Sequence, residues 1–299
     1  MKRHVLVLMS TYNGEKYLRE QIDSILTQQD VDVDLLVRDD GSKDDTLKIL
    51  DEYQSNGKLT YYTGPNLGPQ RSFMHLLQNA PKSEYYAFAD QDDVWIKDKL
   101  SCAVTKLSKN EDKPALYFSQ TQVTDENLNL RKSVIINPLL TFGESLIYKY
   151  VNGCTMVFNH NLRQIISNQT PKCMPMHDMW IYSIAMAFDA HVVFDPTPHI
   201  LYRQHTTNAV GAGHGFMFDW NLRIRRFLSH GNIRSKQAGA LKYYYGDNIP
   251  EHNLRKLTLF LEGKHSFIRR IAILFNKDFR CSDRTTQILF WINLLANKY

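Results

Sequence analysis

As far as Trp95 the chain alternates short apolar runs with stretches of helical spacing, and each apolar run stops at a polar, turn-forming rim. Val5–Met9 stops at Ser10-Thr11-Tyr12-Asn13-Gly14, and Val33–Val37 at Arg38-Asp39-Asp40-Gly41-Ser42. Leu59–Thr63 stops at Gly64-Pro65-Asn66-Leu67-Gly68-Pro69, and Tyr85–Ala89 at Asp90-Gln91-Asp92-Asp93. Between them Leu18, Ile22, Ile25 and Leu26, and then Leu47, Ile49, Leu50 and Tyr53, recur at helical spacing. Ser42 with Asp45 three residues on predicts a capping-box start for the second helix. This rhythm predicts an α/β fold with a mainly parallel central sheet flanked by helices. Ligands bind such sheets outside the carboxyl ends of the strands. All four rims fall on that edge, so Thr11, Tyr12, Asn13, Asp39, Asp40, Asn66 to Arg71, and Asp90 to Asp92 are expected to share one site.

The fourth rim carries the most chemistry. Extended geometry through it would put Asp90 and Asp92 on one side and Gln91 on the other. Two carboxylates projecting together repel unless a cation relieves them. Hard oxygen donors suit Mg²⁺ or Mn²⁺, held by one or two carboxylates plus substrate phosphates. A competing reading makes these acids a turn that caps a helix beginning near Val94.

The glycines narrow the ligand. No GxGxxG follows the first strand, and no GxxxxGK[ST] occurs anywhere, so neither glycine-built phosphate cradle is present. Phosphate binding then falls to a metal at the acidic pair, with Arg71 as a candidate helper. Arg71 reads equally well as a solvated helix-face arginine.

The chain has 299 residues, 43% of them hydrophobic, enough for one large domain or a domain with an appendage. Its formal charge of +5 is unevenly spread: from Leu222 onward basic residues far outnumber acidic ones, whereas before it acids are in excess. Cys102, Cys154, Cys173 and Cys281 show no metal or redox spacing and read as reduced thiols of a cytoplasmic protein. Val5–Met9 is too short for a signal-peptide core or a membrane span.

Further on, Ala115 to Gln122 reads as a strand, Leu146 to Phe158 holds a strand started by Gly153, and Trp180 to Phe188 reads as a helix. Cys154 reads as a core residue, while Asp178 is either the helix cap or a general base. Val192–Phe194 is a further strand. Arg203 and His205 then precede the glycine-rich Thr206–Gly213, which suits a loop closing over a diphosphate.

Taken together, Ser10-Thr11-Tyr12-Asn13-Gly14, Asp39-Asp40-Gly41-Ser42, Asn66-Leu67-Gly68, Asp90-Gln91-Asp92-Asp93-Val94-Trp95, Met176-His177-Asp178 and Tyr202-Arg203-Gln204-His205 resemble the motifs of family 2 inverting glycosyltransferases of the GT-A fold. The last four residues, the Asp-Gln-Asp-Asp-Val-Trp run and Met-His-Asp are also similar to bacterial rhamnosyltransferases that build surface polysaccharides. The resemblance spans residues 1–215, the expected catalytic domain, and leaves 216–299 as a basic helical region. It implies a nucleoside diphosphate sugar donor, with dTDP-L-rhamnose foremost, and a lipid-linked or oligosaccharide acceptor. Asp40 matches the base-binding position with Thr11 and Tyr12 beside it; Asp90 would face the ribose, and Asp92 would hold Mg²⁺ or Mn²⁺. Asp178 matches the general base that inversion requires, with His177 as its competitor. Asn152 and Gly153 flank the acceptor site. His205 is a candidate metal ligand or phosphate donor, and Arg203 a phosphate donor. A sugar-1-phosphate nucleotidyltransferase would need a glycine-rich basic loop where Thr11-Tyr12-Asn13 stands, and a non-catalytic sugar-nucleotide binder would not need Asp92 or Asp178.

In the basic region Leu254, Leu257 and Leu261 predict one helix face, and Ile268, Ile271, Leu274 and Phe275 another with Arg269 and Arg270 turned away. Two readings stand: a bundle packed on the catalytic domain, or peripheral attachment to the anionic inner leaflet of the cell membrane.

Overall fold

A computed structural model describes residues 2–166, 171, 176–205 and 232–299. The expected loop 206–213, Cys173, Met174 and Pro175 lie outside the described residues. The chain begins β1 (Arg3–Thr11), α1 (Leu18–Leu26), β2 (Val31–Asp39), α2 (Thr46–Ser55), β3 (Thr60–Thr63), α3 (Pro69–Asn79) and β4 (Tyr85–Ala89), the predicted alternation. β5 (Val94–Trp95), α4 (Lys99–Leu107), β6 (Ala115–Ser119), β7 (Gln122–Thr124), α5 (Phe142–Ile147), β8 (Val157–Asn159) and α6 (His160–Ile166) follow. α7 (His177–Ala187), β9 (His191–Asp195) and β10 (Ile200–Arg203) complete the sheets, and α8 (Ile233–Tyr245), α9 (Glu251–Glu262), α10 (Phe267–Phe275) and α11 (Arg284–Leu295) end the chain.

The main sheet has seven strands in the order β3-β2-β1-β4-β8-β6-β9. β1 pairs in parallel with both β2 and β4, with Met9 opposite Val37 and Ala89, so these three strands end side by side. β8 is the exception, antiparallel to β4 and β6. A smaller sheet, β5-β10-β7, brings Arg203 beside Thr124 and Leu201 beside Val94.

The two-residue period of the strands divides the core. Leu6, Leu8, Tyr86 and Phe88 face a cluster with Phe73, Leu77 and Trp180, while Val5, Val7, Met9, Tyr85 and Ala87 face another with Ile22, Ile25 and Leu100. Buried Leu241, Leu257, Phe260, Phe290 and Leu294 of the C-terminal helices join the first cluster. Those helices are therefore seated on the core of the main sheet.

Several local expectations are corrected. Ser42 does not open a capping box: its amide and hydroxyl donate to the Asp39 carboxylate, and α2 starts only at Thr46. No helix begins at Val94, which pairs with Leu201 as a strand. The predicted Ala115–Gln122 strand divides between the two sheets, and Gly153–Thr155 is a 3-10 turn ahead of β8. On α10 the packed residue is Ile273, whereas Ile268 and Phe275 are 79% and 75% exposed.

Candidate active site

The polar rims meet at the carboxyl edge of the parallel strands, and they are tied to one another. Thr11 Oγ1 and the Tyr12 amide both donate to Gln91 Oε1, at 2.6 and 2.8 Å, so the first rim is fastened to the fourth. The Asn13 amide donates to Ser42 Oγ at 2.9 Å, and the Lys43 amide returns a bond to Asn13 Oδ1 at 2.8 Å, fastening the first rim to the second. Tyr12 is 46% exposed and presents its ring at the mouth.

Asp40 is buried, and its carboxylate accepts from the Leu67 and Gly68 amides at 3.0 and 2.9 Å and pairs with the buried Arg38 guanidinium. It thereby holds the Asn66–Gly68 loop, in which Gly68 takes a φ of +74° that a side chain would strain. Arg71, one turn into α3, is exposed.

At the fourth rim the chain leaves extended geometry after Ala89, which is why Gln91 reaches back to the first rim. Asp92 Oδ2 lies 2.8 Å from His205 Nε2, so the two expected metal ligands meet. Arg203 is 3% exposed, and its guanidinium donates to the Asp92 carbonyl at 2.9 Å, the Glu126 carbonyl at 2.6 Å and the Glu20 carboxylate. Its ring partner is Tyr17, 4.4 Å away, which also packs on His205 at 5.0 Å. Arg203 thus grips the backbone that carries Asp92. Beneath, fully buried Asp93 accepts the Arg203 amide at 3.0 Å.

The electrostatics are those of crowded carboxylates. Burial first, then Asp92 and Asp178, push the Asp90 carboxyl up to about 7. Burial, then Asp92 and Asp90, raise Asp93 well above the ordinary range, and burial lowers Lys99 to about 7. An oxygen and a nitrogen donor within hydrogen-bond distance, beside a carboxyl whose ionisation burial and neighbouring carboxylates oppose, fit a hard divalent cation. Asp92 and His205 are the residues that would hold it.

Across the same edge, Asp178 lies in the first turn of α7, where Met176 is the cap residue. Its Oδ2 accepts the Gly153 amide at 3.0 Å and its Oδ1 the Met179 amide at 2.6 Å. Burial raises its carboxyl to about 6. His177 is buried between Phe73, with ring centroids 4.1 Å apart, and Phe88, and burial pushes its imidazole down to about 3. Gly153 is required by close approach, since a Cβ there would lie 2.6 Å from His177 Nε2. Cys154 is buried, as expected of a core residue, with its sulfur grouped with the Asp90 and Asp93 carboxyls within 4.8 Å.

Sequence reasoning missed Gln91 as the tie between rims, Asp93 as the buried support, and the Gly153 amide as the donor that orients Asp178. Only the alternation of Asp and Gln at the rim signalled the first of these.

Comparison with known proteins is consistent with this geometry. Residues 6–181 match the family model described as glycosyl transferase family 2. The chain is 31% identical over 220 residues to the dTDP-rhamnosyl transferase RfbG of Shigella flexneri, covering 70% of this chain and 75% of that protein. It is 33% identical over 194 residues to the putative teichuronic acid biosynthesis glycosyltransferase TuaG of Bacillus subtilis, covering 62% and 74%. Among solved structures, S. aureus TarS 1-349 in complex with UDP-GlcNAc superposes with a TM-score of 0.61 at 18% identity, covering 98% of this chain and 80% of that one. The mannosyltransferase PcManGT from Pyrobaculum calidifontis, in complex with GDP-Man and Mn²⁺, gives 0.55 at 15% identity, covering 99% and 86%.

Proposed function

Because the chain belongs to glycosyl transferase family 2, we propose that it moves L-rhamnose from dTDP-L-rhamnose, with inversion, onto a glycan hydroxyl during synthesis of a bacterial surface polysaccharide. The relative that names this donor supports the sugar, and the teichuronic acid relative supports the polysaccharide. The observation that carries the mechanism is the 2.8 Å approach of Asp92 to His205 just beyond β4, with Asp178 next to His177, whose ring packs on Phe88 of the same strand.

Thr11, Tyr12 and Asn13, with the loop held by Asp40, form the wall against which the nucleoside lies. Asp90 turns toward the ribose. Asp92 and His205 would hold Mg²⁺ or Mn²⁺, and such an ion would neutralise negative charge on the departing nucleoside diphosphate. Arg203 keeps Asp92 in place, and exposed Arg71 is free to swing toward phosphate oxygens from the helix start. Asp178, aimed by the Gly153 amide, accepts the proton of the attacking hydroxyl. The buried setting that raises it to about 6 leaves it ionised, and a stronger base than an ordinary carboxylate, at neutral pH.

We place the enzyme on the cytoplasmic face of the membrane. No helix among the described residues is long and apolar enough to cross a bilayer. Ile268 and Phe275 of α10 and Ile288 and Ile292 of α11, the latter two each 52% exposed, are apolar side chains left in solvent, and Arg269 and Arg284 on the same helices are exposed too. That pairing suits insertion at the level of anionic headgroups.

Titration calorimetry with Mn²⁺ and a panel of dTDP-, UDP- and GDP-sugars tests the reading. dTDP-L-rhamnose is expected to bind best, and Asp92→Ala to lose metal-dependent binding while keeping its melting transition. Equal binding of the donor in chelator would remove the metal assignment. Preference for a UDP- or GDP-sugar would replace rhamnose with the donor bound.

A further inference from the structure

We propose that the C-terminal helices complete the acceptor side of the site, and that Lys149 and Arg234 bind an anionic group (phosphate, diphosphate or carboxylate) carried by the acceptor close to its reacting hydroxyl. This rests on the transferase reading above and names the acceptor's chemistry.

Lys149 follows α5, and Arg234 is the second residue of α8, so one cation comes from the catalytic core and the other from the C-terminal helices. They are held by neutral partners. Lys149 Nζ donates to Gln237 Oε1 at 3.2 Å, and Arg234 Nε donates to the Ile147 carbonyl at 2.7 Å. Both side chains are partly buried, and among the described residues neither has a carboxylate within ion-pair distance.

Two like charges drawn together out of water, without a counter-ion, are unfavourable. The lysine records this: burial, and then Arg234, lower it to about 7, and the one carboxylate opposing that shift is Asp178. Burial lowers Arg234 as well. The hydrogen bonds to Gln237 and the Ile147 carbonyl bring the two cations together where α5 meets α8, and Lys149 lies four residues before Gly153, whose amide donates to Asp178, the residue proposed to deprotonate the acceptor. Tyr148, 42% exposed and edge-on to Tyr150 at 4.7 Å, adds an aromatic surface beside the pair. A neutral sugar needs no such pair, whereas a sugar linked to phosphate, or one bearing a carboxylate, supplies the missing counter-ion.

The arrangement also gives a reason for seating the helices on the catalytic core. Ala238 and Leu241, on the same helix as Arg234 and Gln237, are buried in the shared apolar cluster and hold that helix where Arg234 and Gln237 meet the end of α5.

The test measures binding of three probes in chelator and without donor, so that no phosphate is held at the metal side: farnesyl phosphate, farnesol and glucuronate. Wild-type protein is expected to bind farnesyl phosphate or glucuronate at least tenfold more tightly than farnesol, with affinity falling as salt rises. Whichever anion binds identifies the source, a lipid phosphate or an acidic sugar. Lys149→Met and Arg234→Gln should each weaken that binding about tenfold, Lys149→Arg should retain it, and melting curves exclude misfolding. Equal binding of farnesol, or anion binding indifferent to both substitutions, overturns the inference. Asp92-dependent release of nucleoside diphosphate in water, measured in the same variants, reports on the transferase reading separately.

Discussion

Replacing Asp178 with asparagine is expected to make the protein slower and more stable together. Asparagine keeps the shape of the side chain and one accepting oxygen for the Gly153 amide, and gives up the bond from the Met179 amide that the second carboxylate oxygen accepts. It removes the base, and general base catalysis contributes about 10²- to 10⁴-fold, or roughly 3–5 kcal/mol of barrier. Stability moves the other way. The Asp178 carboxyl rises from 3.8 to about 6 on folding, mainly through burial. The folded protein therefore holds this proton more tightly than the unfolded chain. The penalty for ionising it is absent below pH 4, grows between the two values and is fully present above pH 6, where it reaches about 3 kcal/mol. Asparagine escapes that penalty but loses the Met179 bond, about 1 kcal/mol, and the remaining roughly 2 kcal/mol corresponds for a chain of this length to a melting temperature higher by roughly 3 °C at neutral pH, with the gain absent at pH 4. Product nucleotide assayed at saturating donor gives the first quantity, and scanning fluorimetry at the two pH values the second. Near wild-type turnover combined with a lower melting temperature would refute the reasoning and return Asp178 to the role of a helix-start carboxylate.

Other consequences can be checked with similar means. In the wild-type enzyme kcat should rise about tenfold per pH unit up to about pH 6 and then level, following ionisation of Asp178; a flat profile from pH 5 to 7 would move the base elsewhere. Gly153→Ala puts a methyl group 2.6 Å from His177 Nε2 and should lower kcat by about 10²-fold through displacement of Asp178, with donor affinity kept; loss of donor affinity instead would place Gly153 on the other side of the site. His205→Ala should weaken Mn²⁺ binding by about 10- to 100-fold and leave the fold intact; unchanged Mn²⁺ affinity would strike His205 from the ligand set. Ile268→Glu with Ile292→Glu should release the protein from phosphatidylglycerol vesicles without changing its melting temperature, and undiminished partitioning would leave α10 and α11 as packing elements alone.

Much of the frame was legible because it depends on periodicity. The two-residue alternation in Val5–Met9 and Tyr85–Ala89 determines which side chains face which core, and the rims after β1, β2, β3 and β4 follow from strands that run the same way. What was not legible depends on contacts between residues far apart in the chain. Ser42 has the spacing of a cap, yet the Asp39 carboxylate two residues after Val37 offers it a nearer partner. Val94 looks like a helix start because nothing local reveals that Leu201 waits to pair with it. Arg203 carries the composition of a phosphate ligand, but its neighbours Glu20, Glu126 and the Asp92 carbonyl come from three separate parts of the chain and occupy its guanidinium. Likewise Ile273 is buried on α10 in preference to Ile268 and Phe275 because the position of α9 and α11, rather than the helix's own pattern, decides which face is covered.

The most direct test is anomalous diffraction at the manganese edge from crystals soaked with Mn²⁺ and a nucleoside diphosphate. The account predicts a single strong peak within bonding distance of the Asp92 carboxylate and the His205 ring, bridged to the diphosphate, with Asp178 across the site from it. A peak elsewhere, or a nucleotide lodged away from those side chains, would contradict it.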